Sequence, residues 1–307
     1  MFLNQFELIP VIAETKSFSK AAKLLHLSQP AISSKIRSME DYYKIKIFNR
    51  TPQGVYLTEA GKIVCAYAVR FLNMYNSMEQ DLDMLLNGNP FLTIGASCTA
   101  GNYAMPCSIC AFKAKYPEVN VRLDIGNTDT TLEKLKNHDI DIAVVEGTVE
   151  NPDFVAHYIN SSNLVFIAPN DIKKSSFSLK EIKQKPFILR EKGAAIRTAF
   201  EQGLLKNGYG IEDLNVILEM TSIYSVKSAV MEGIGVSILP AITVEKEVNN
   251  GALKIIKIKE FEPELETDII LVHLKNEQPS TVAQQFIKSV SEQVKNEGCW
   301  NLRRMYS

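Results

Sequence analysis

At 307 residues, with 46% hydrophobic and 22% charged side chains, the chain is long for one compact core and too apolar for disorder, so a small module plus a larger domain is expected. No apolar run approaches the roughly 18 to 20 residues needed to span a bilayer, which speaks against a membrane partner; the start MFLNQFELIPVIAETKSF lacks a basic head and a small-residue cleavage site, which implies a cytoplasmic address. The net charge of -1 conceals an asymmetry, eight Lys/Arg against five acids in residues 1–60 and an acidic remainder, which suits a nucleic-acid-binding head on a body kept off nucleic acid.

In chain order, the first strong pattern is SFSKAAKLLHLSQPAISSKIRSMEDYY. Ser19 is a candidate cap for a helix whose Ala22, Leu24 and Leu25 face inward, and a tight turn at Leu27 leads to Ser28, a second cap candidate. Gln29 and Pro30 follow in the first turn of the next helix, where a missing proline N–H costs little. There Ile32, Ile36 and Met39 recur at i, i+4 and i+7, a stripe that docks this helix on the previous one. The other face carries Gln29, Ser33 and Arg37, with Pro30 and Ser34 beside them. A helix entering the major groove, about 12 Å wide, needs short side chains on its approach and amide or guanidinium groups at base edges. Gln29 suits adenine, Arg37 guanine or a phosphate, and Ser33 either; Lys35 lies toward the sugar-phosphate backbone.

KIKIFNRTPQGVYLT then alternates Ile45, Ile47, Val55 and Leu57 around Pro52-Gln53-Gly54, a hairpin signal with Arg50 and Thr51 at its bend, in reach of a minor groove or phosphates. Singly, each residue fits an amphipathic helical subdomain with a solvated face; the ordered set points to double-stranded DNA. SFSKAAKLLHLSQPAISSKIRSME, followed by Ile47-Phe48, Arg50 and Leu57-Thr58-Glu59-Ala60-Gly61, resembles the head of LysR-type transcriptional regulators. Two positions depart from that pattern. Ser34 stands where members commonly place a basic residue, and Lys44 stands where they usually have glycine, which implies left-handed backbone there.

From Thr58 to Leu86 there is no proline and one glycine, Gly61, while Val64, Tyr67, Phe71, Met74, Met78, Leu82 and Leu85 recur at steps of three and four. This near-heptad seam closes at Asn87-Gly88-Asn89-Pro90. A long helix packed on its own body fits the same spacing. The resemblance implies a dimerising linker helix, hence a homodimer, or a homotetramer built from dimers, on a partly palindromic operator.

Beyond Pro90, short apolar strands alternate with helices, which reads as α/β with largely parallel sheets. Strands are expected at Leu92–Ala96, Val119–Ile125, Ile140–Val145, Leu164–Ala168, Phe187–Arg190, Val216–Met220, Val236–Leu239 and Thr267–Leu274, with a last helix over Val282–Val294. The expected architecture is thus an N-terminal all-α winged helix-turn-helix (1–58), a long linker helix (59–89) and a C-terminal α/β effector domain (90–307). Its two periplasmic-binding-protein-like lobes would span about 90–161 with 267–297, and about 162–266. Ligands of open α/β units sit beyond the carboxyl ends of strands. That rule marks Ser97, Thr99, Asn102, Asn127, Thr128 and Glu146 in one lobe and Arg190, Arg197, Thr221 and Ser222 in the other. Each hydroxyl alone also reads as a helix cap; hydroxyls, arginines and helix starts together favour a small anion.

LTIGASCTAGNYAMP, LDIGNTDTTLEKLKNHDIDIAVVEG and FILREKGAAIRTAFEQGL look like the branch of that family containing the CbbR and CysL regulators of carbon-fixation and sulfur-assimilation genes. That branch usually carries a Gly-Ser-Gly-Thr-like turn where this chain has Gly193-Ala194-Ala195-Ile196, which weakens a direct transfer of its anionic effectors. The expected role is a regulator that contacts RNA polymerase and answers to a small-molecule co-inducer of unknown identity, with no cofactor and no metal. No catalytic set appears among His26, His138, His157 and His273, so no enzyme is expected; a binding protein without regulatory role is the remote competitor. Five scattered cysteines argue against a disulfide framework. Cys98, at a helix start, could instead sense redox state, with Cys107 or Cys110 resolving it.

Overall fold

The computed structural model describes residues 3–88, 90–261 and 265–295. The chain forms two compact units, one running to Gly88 and including Lys136–Asp139, the other formed by the rest. The domain limits expected at residues 89, 297 and 307 lie outside the described residues.

The first unit opens with α1 (Leu3–Phe6), α2 (Leu8–Thr15), α3 (Phe18–Leu24) and α4 (Gln29–Tyr43), followed by a hairpin of β1 (Phe48–Thr51) and β2 (Gly54–Leu57) and by α5 (Glu59–Asn87). Ser17, not Ser19, caps α3: its hydroxyl accepts the Lys20 N–H at 3.3 Å, because the chain is already helical at Phe18. In the resulting register Phe18, Ala21 and Ala22 are buried and Leu24 is 64% exposed, so Leu24 does not face inward as expected. Ser28 caps α4 by accepting the Ala31 N–H at 3.3 Å. Ile32, Ile36 and Met39 are buried with Leu8, Ile9, Ile12 and Ile47 in one core. At the end of α4, Lys44 adopts φ 55°, the left-handed conformation that glycine would take without strain.

The start of α5 explains Thr58 and Gly61. The Thr58 hydroxyl accepts the Gly61 N–H at 2.8 Å, and a Cβ on Gly61 would lie 2.0 Å from the Ile47 carbonyl oxygen. Only glycine lets α5 approach the hairpin this closely.

In the second unit, β3 (Phe91–Ser97) pairs in parallel with β4 (Asn120–Gly126) and β5 (Ile142–Glu146), with α6 (Met105–Lys115) and α7 (Thr128–Lys136) as crossovers. A π-helical turn, Ala100–Ala104, precedes α6. The strand β6 (Phe154–Pro169) is 16 residues long and runs through both lobes. Lobe II adds β7 (Ser176–Phe177), α8 (Leu179–Ile182), β8 (Phe187–Arg190), α9 (Ala195–Lys206), β9 (Val216–Met220), α10 (Ile223–Met231), β10 (Ser237–Pro240), α11 (Ala241–Asn249) and β11 (Leu253–Ile258). The chain returns through β12 (Glu266–Leu274) to α12 (Thr281–Lys295).

The sheets are mixed rather than largely parallel. β10, β11 and β12 all pair antiparallel with β6. The reason lies in β6 itself: only its apolar half, Leu164–Ala168, was legible, whereas the polar run through Ser161-Ser162-Asn163 hides the continuous strand that β12 follows back. A separate core of Phe166, Phe187, Phe200 and Phe261 with surrounding Ile and Val residues fills lobe II.

Candidate functional site

The first candidate surface is the exposed side of α4 with the β1–β2 hairpin. The Gln29 amide donates to the Ser33 hydroxyl at 2.8 Å, and the Arg50 guanidinium reaches the same hydroxyl at 3.4 Å while lying 4.3 Å over the Phe18 ring. Helix start and hairpin are therefore tied at one point, and Arg50 is held by cation–π stacking. Pro30, Ser34 and Arg37 are exposed on α4, Lys35 is half-buried, and Ser19 is exposed near the start of α3. The Thr51 hydroxyl donates to the Gly54 carbonyl at 3.1 Å and closes the bend.

Glu40 joins α4 to the hairpin from below. Its buried carboxylate accepts the Ile47 N–H at 2.9 Å, the Phe48 N–H at 3.3 Å and the Lys46 ammonium at 2.7 Å. Burial alone would raise this carboxyl; the Lys46 partner and the two N–H groups outweigh it and hold the group below its ordinary value. Sequence inspection passed over Glu40, although an acid placed among apolar helix positions, beside Met39, was a usable signal.

On α5, Tyr67, Phe71, Met74, Met78 and Leu82 are exposed, while Val64 packs on the head core. The Leu85 side chain lies outside the described residues.

The second candidate site is a cavity of about 190 Å³ between the lobes. Thr128 and Glu146 line it from lobe I, Gly193, Ala195, Thr198, Ala199 and Gln202 from lobe II, and Glu266, Thr267 and Asp268 from the start of β12. Glu146 is 2% exposed, and its Oε2 accepts the Ser97 hydroxyl at 3.2 Å. The Thr128 hydroxyl donates to the Glu146 carbonyl at 3.0 Å. Burial pushes the Glu146 carboxyl above its ordinary value, with neighbouring hydroxyls and the Arg190 charge offsetting only part.

Of the other residues anticipated for this site, Thr99 is buried in the helical turn that follows β3 and does not line the cavity. Asn102 is exposed and donates to the Cys98 carbonyl at 2.7 Å. Asn127 caps α7, accepting the Thr130 N–H at 2.9 Å, and Ser222 caps α10, accepting the Ser225 N–H at 3.3 Å, with Thr221 exposed beside it. Arg190 is buried and forked onto Glu191 at 2.9 and 3.0 Å, and Arg197 is held by Glu201 at 2.8 Å and by Glu219. Neither arginine lines the cavity. The residues at the start of β12 were missed because the strand-end rule looks to carboxyl ends. β12 runs antiparallel to β5, with Ile269 opposite Glu146, so its beginning lies where β5 ends.

Cys65, Cys98 and Cys110 are free, whereas Cys107 is disulfide-bonded, which corrects the expectation of free thiols and removes Cys107 as a free resolving partner for Cys98. The Cys98 thiol donates to the Gly126 carbonyl at 3.1 Å and accepts from Arg190 at 3.4 Å. The structure also stacks His157 on His273, their Nε2 atoms 3.3 Å apart. Among the described residues, no group of three or more His, Cys, Asp or Glu is placed to hold a metal ion, and no helix is long and apolar enough to cross a membrane.

Residues 3–62 match the bacterial regulatory helix-turn-helix protein family, lysR type, and residues 89–295 match the LysR substrate binding domain. A probable RuBisCO transcriptional regulator of Phaeodactylum tricornutum is 30% identical over 305 residues, covering 96% of this chain and 97% of that protein. The crystal structure of CbnR, a LysR family transcriptional regulator, superposes with a TM-score of 0.71 at 18% identity, over 96% of this chain and 99% of CbnR. The regulatory domain of CcmR from Synechocystis PCC6803, in complex with 2-PG, gives a TM-score of 0.61 at 26% identity, over 68% of this chain and 99% of that domain.

Proposed function

Because the chain belongs to the LysR family of DNA-binding transcriptional regulators, we propose that it reads a partly palindromic operator through α4 and the β1–β2 hairpin under control of an effector held between the lobes. The observation that carries the first half is the tie at Ser33. Gln29 and Arg50 converge on one hydroxyl from helix and hairpin, so the set is preorganised before DNA arrives. Gln29, Ser33 and Arg37 take base edges; Ser19, Ser28, Pro30, Ser34, Lys35, Arg50 and Thr51 take the approach and the phosphates.

The exposed apolar stripe of α5, Tyr67, Phe71, Met74, Met78 and Leu82, pairs with its copy in a homodimer, and dimers associate to a homotetramer. Effector binding stabilises one lobe arrangement, which alters the assembly, the DNA bend and the contact with RNA polymerase. The chain works in the cytoplasm and is not an enzyme. A relative named as a probable RuBisCO regulator and a neighbour that holds 2-PG support target genes of carbon metabolism.

Arg37→Ala tests the reading face. In a gel-shift series on the operator beside the protein's own gene, it should weaken binding by about 1 to 3 kcal/mol and relax sequence preference. Unchanged affinity and preference would remove Arg37 from the face.

A further inference from the structure

The cavity between the lobes is lined by four carboxylates, Asp129, Glu146, Glu266 and Asp268, and by no Lys or Arg among the described residues. The two arginines best placed by sequence to hold an anion are already paired with Glu191, Glu201 and Glu219. Two helix starts, those of α7 and α9, face the same region with about half a positive charge each. Asp129, in the first turn of α7, already answers one of them. Among the described residues the lining thus supplies carboxylates and no cationic side chain.

A second observation is independent of charge. Among the described residues, no group meets Oε1 of Glu146 or Oγ1 of Thr267 in hydrogen-bond geometry, although these residues are only 2% and 3% exposed and both line the cavity. Buried polar atoms are almost always satisfied. When ionised, a carboxylate oxygen only accepts, so an N–H or O–H donor suits Oε1, and a cation placed there would offset the burial that favours the protonated form. Beside an ionised Glu146, a phosphate or carboxylate would set like charge against like and leave Oε1 unmet.

We infer that the effector of this cleft is a small organic cation, a primary ammonium compound whose N–H groups meet Glu146 at the floor and Asp268 and Asp129 at the rim. This rests on the reading of the cleft as the effector site given above. The methyl groups of Ala195 and Ala199, on α9, give an alkyl chain an apolar wall. A cavity of about 190 Å³ has room for a compound the size of putrescine.

The full chain is titrated by calorimetry with butylammonium, putrescine and agmatine, and with inorganic phosphate and 2-PG as anionic counterparts. At least one ammonium compound binds and neither anion does. Glu146→Gln and Asp268→Asn each weaken that binding by about ten-fold or more, as loss of a charged partner requires. Ala199→Phe, which fills the cavity, abolishes it, and circular dichroism confirms that each variant is folded. Binding of phosphate or 2-PG that disappears in Ala199→Phe overturns the cation and leaves the cleft standing as the effector site. Ammonium binding that survives Ala199→Phe overturns the cleft reading together with the inference. Absence of binding by all three ammonium compounds overturns the inference, as does binding that is indifferent to both charge-removing variants.

Discussion

Replacing Glu40 with alanine should detach the hairpin from the reading helix. The carboxylate accepts two N–H groups, from Ile47 at 2.9 Å and Phe48 at 3.3 Å, in a position 8% exposed, where water is a poor substitute. A hydrogen bond to a charged acceptor contributes about 1.5 to 3 kcal/mol, and the longer of the two belongs at the lower end. Lys46 is 70% exposed, so its ion pair adds at most about 1 kcal/mol. The sum for Glu40→Ala is about 3 to 5 kcal/mol, a large share of what a small unit possesses. Glu40→Gln keeps an acceptor oxygen without the charge and should lose roughly 2 kcal/mol. Because the folded carboxyl lies below its ordinary value, its contribution is complete above the ordinary carboxylate range and disappears as pH falls through the lower folded value. Amide hydrogen exchange at residues 45–57 in the full chain reads this directly, and operator gel shifts read its effect on DNA affinity. Unchanged exchange in Glu40→Ala, or equal losses for alanine and glutamine, would refute the reasoning.

Gly61→Ala places a Cβ 2.0 Å from a backbone oxygen and should lower stability by about 1 to 3 kcal/mol or more, measured by thermal denaturation beside an exposed helical control such as Ala66→Gly. The double variant Met74→Glu, Met78→Glu sets charge on a stripe where these residues are 46% and 48% exposed; sedimentation should show a smaller assembly than the parent chain forms, down to monomer. Burial, and then the charge of His273, hold the His157 imidazole below its ordinary value of 6.5. The neutral form therefore stabilises the fold above that value, and this contribution is lost as pH falls through the folded value. His273→Gln should flatten the fall in melting temperature between about pH 7.5 and pH 5; an identical pH profile would exclude the pair as its cause.

Much of the first unit was legible because its residues interact with near neighbours. The Ile32, Ile36 and Met39 stripe, the Ser28 cap and the left-handed Lys44 all follow from helix geometry and local sterics, and the structure contains each of them. Where local reasoning met two equivalent choices it failed. Ser17 and Ser19 are both competent caps, and only the burial of Phe18 and Ala21 decides between them.

The cavity was legible only in part, since it is a product of strand direction. Thr128 and Glu146 follow a parallel strand-end rule, but Glu266, Thr267 and Asp268 reach the same place because β12 returns antiparallel along a strand whose polar half gives no apolar alternation. The arginines show the same limit from the other side. Sequence alone determined that Arg190 and Arg197 stand near strand and helix ends, with a charge that suits an anion. Tertiary structure decided that Glu191, Glu201 and Glu219 engage them, because pairing depends on which side chains the fold brings within reach rather than on their order in the chain.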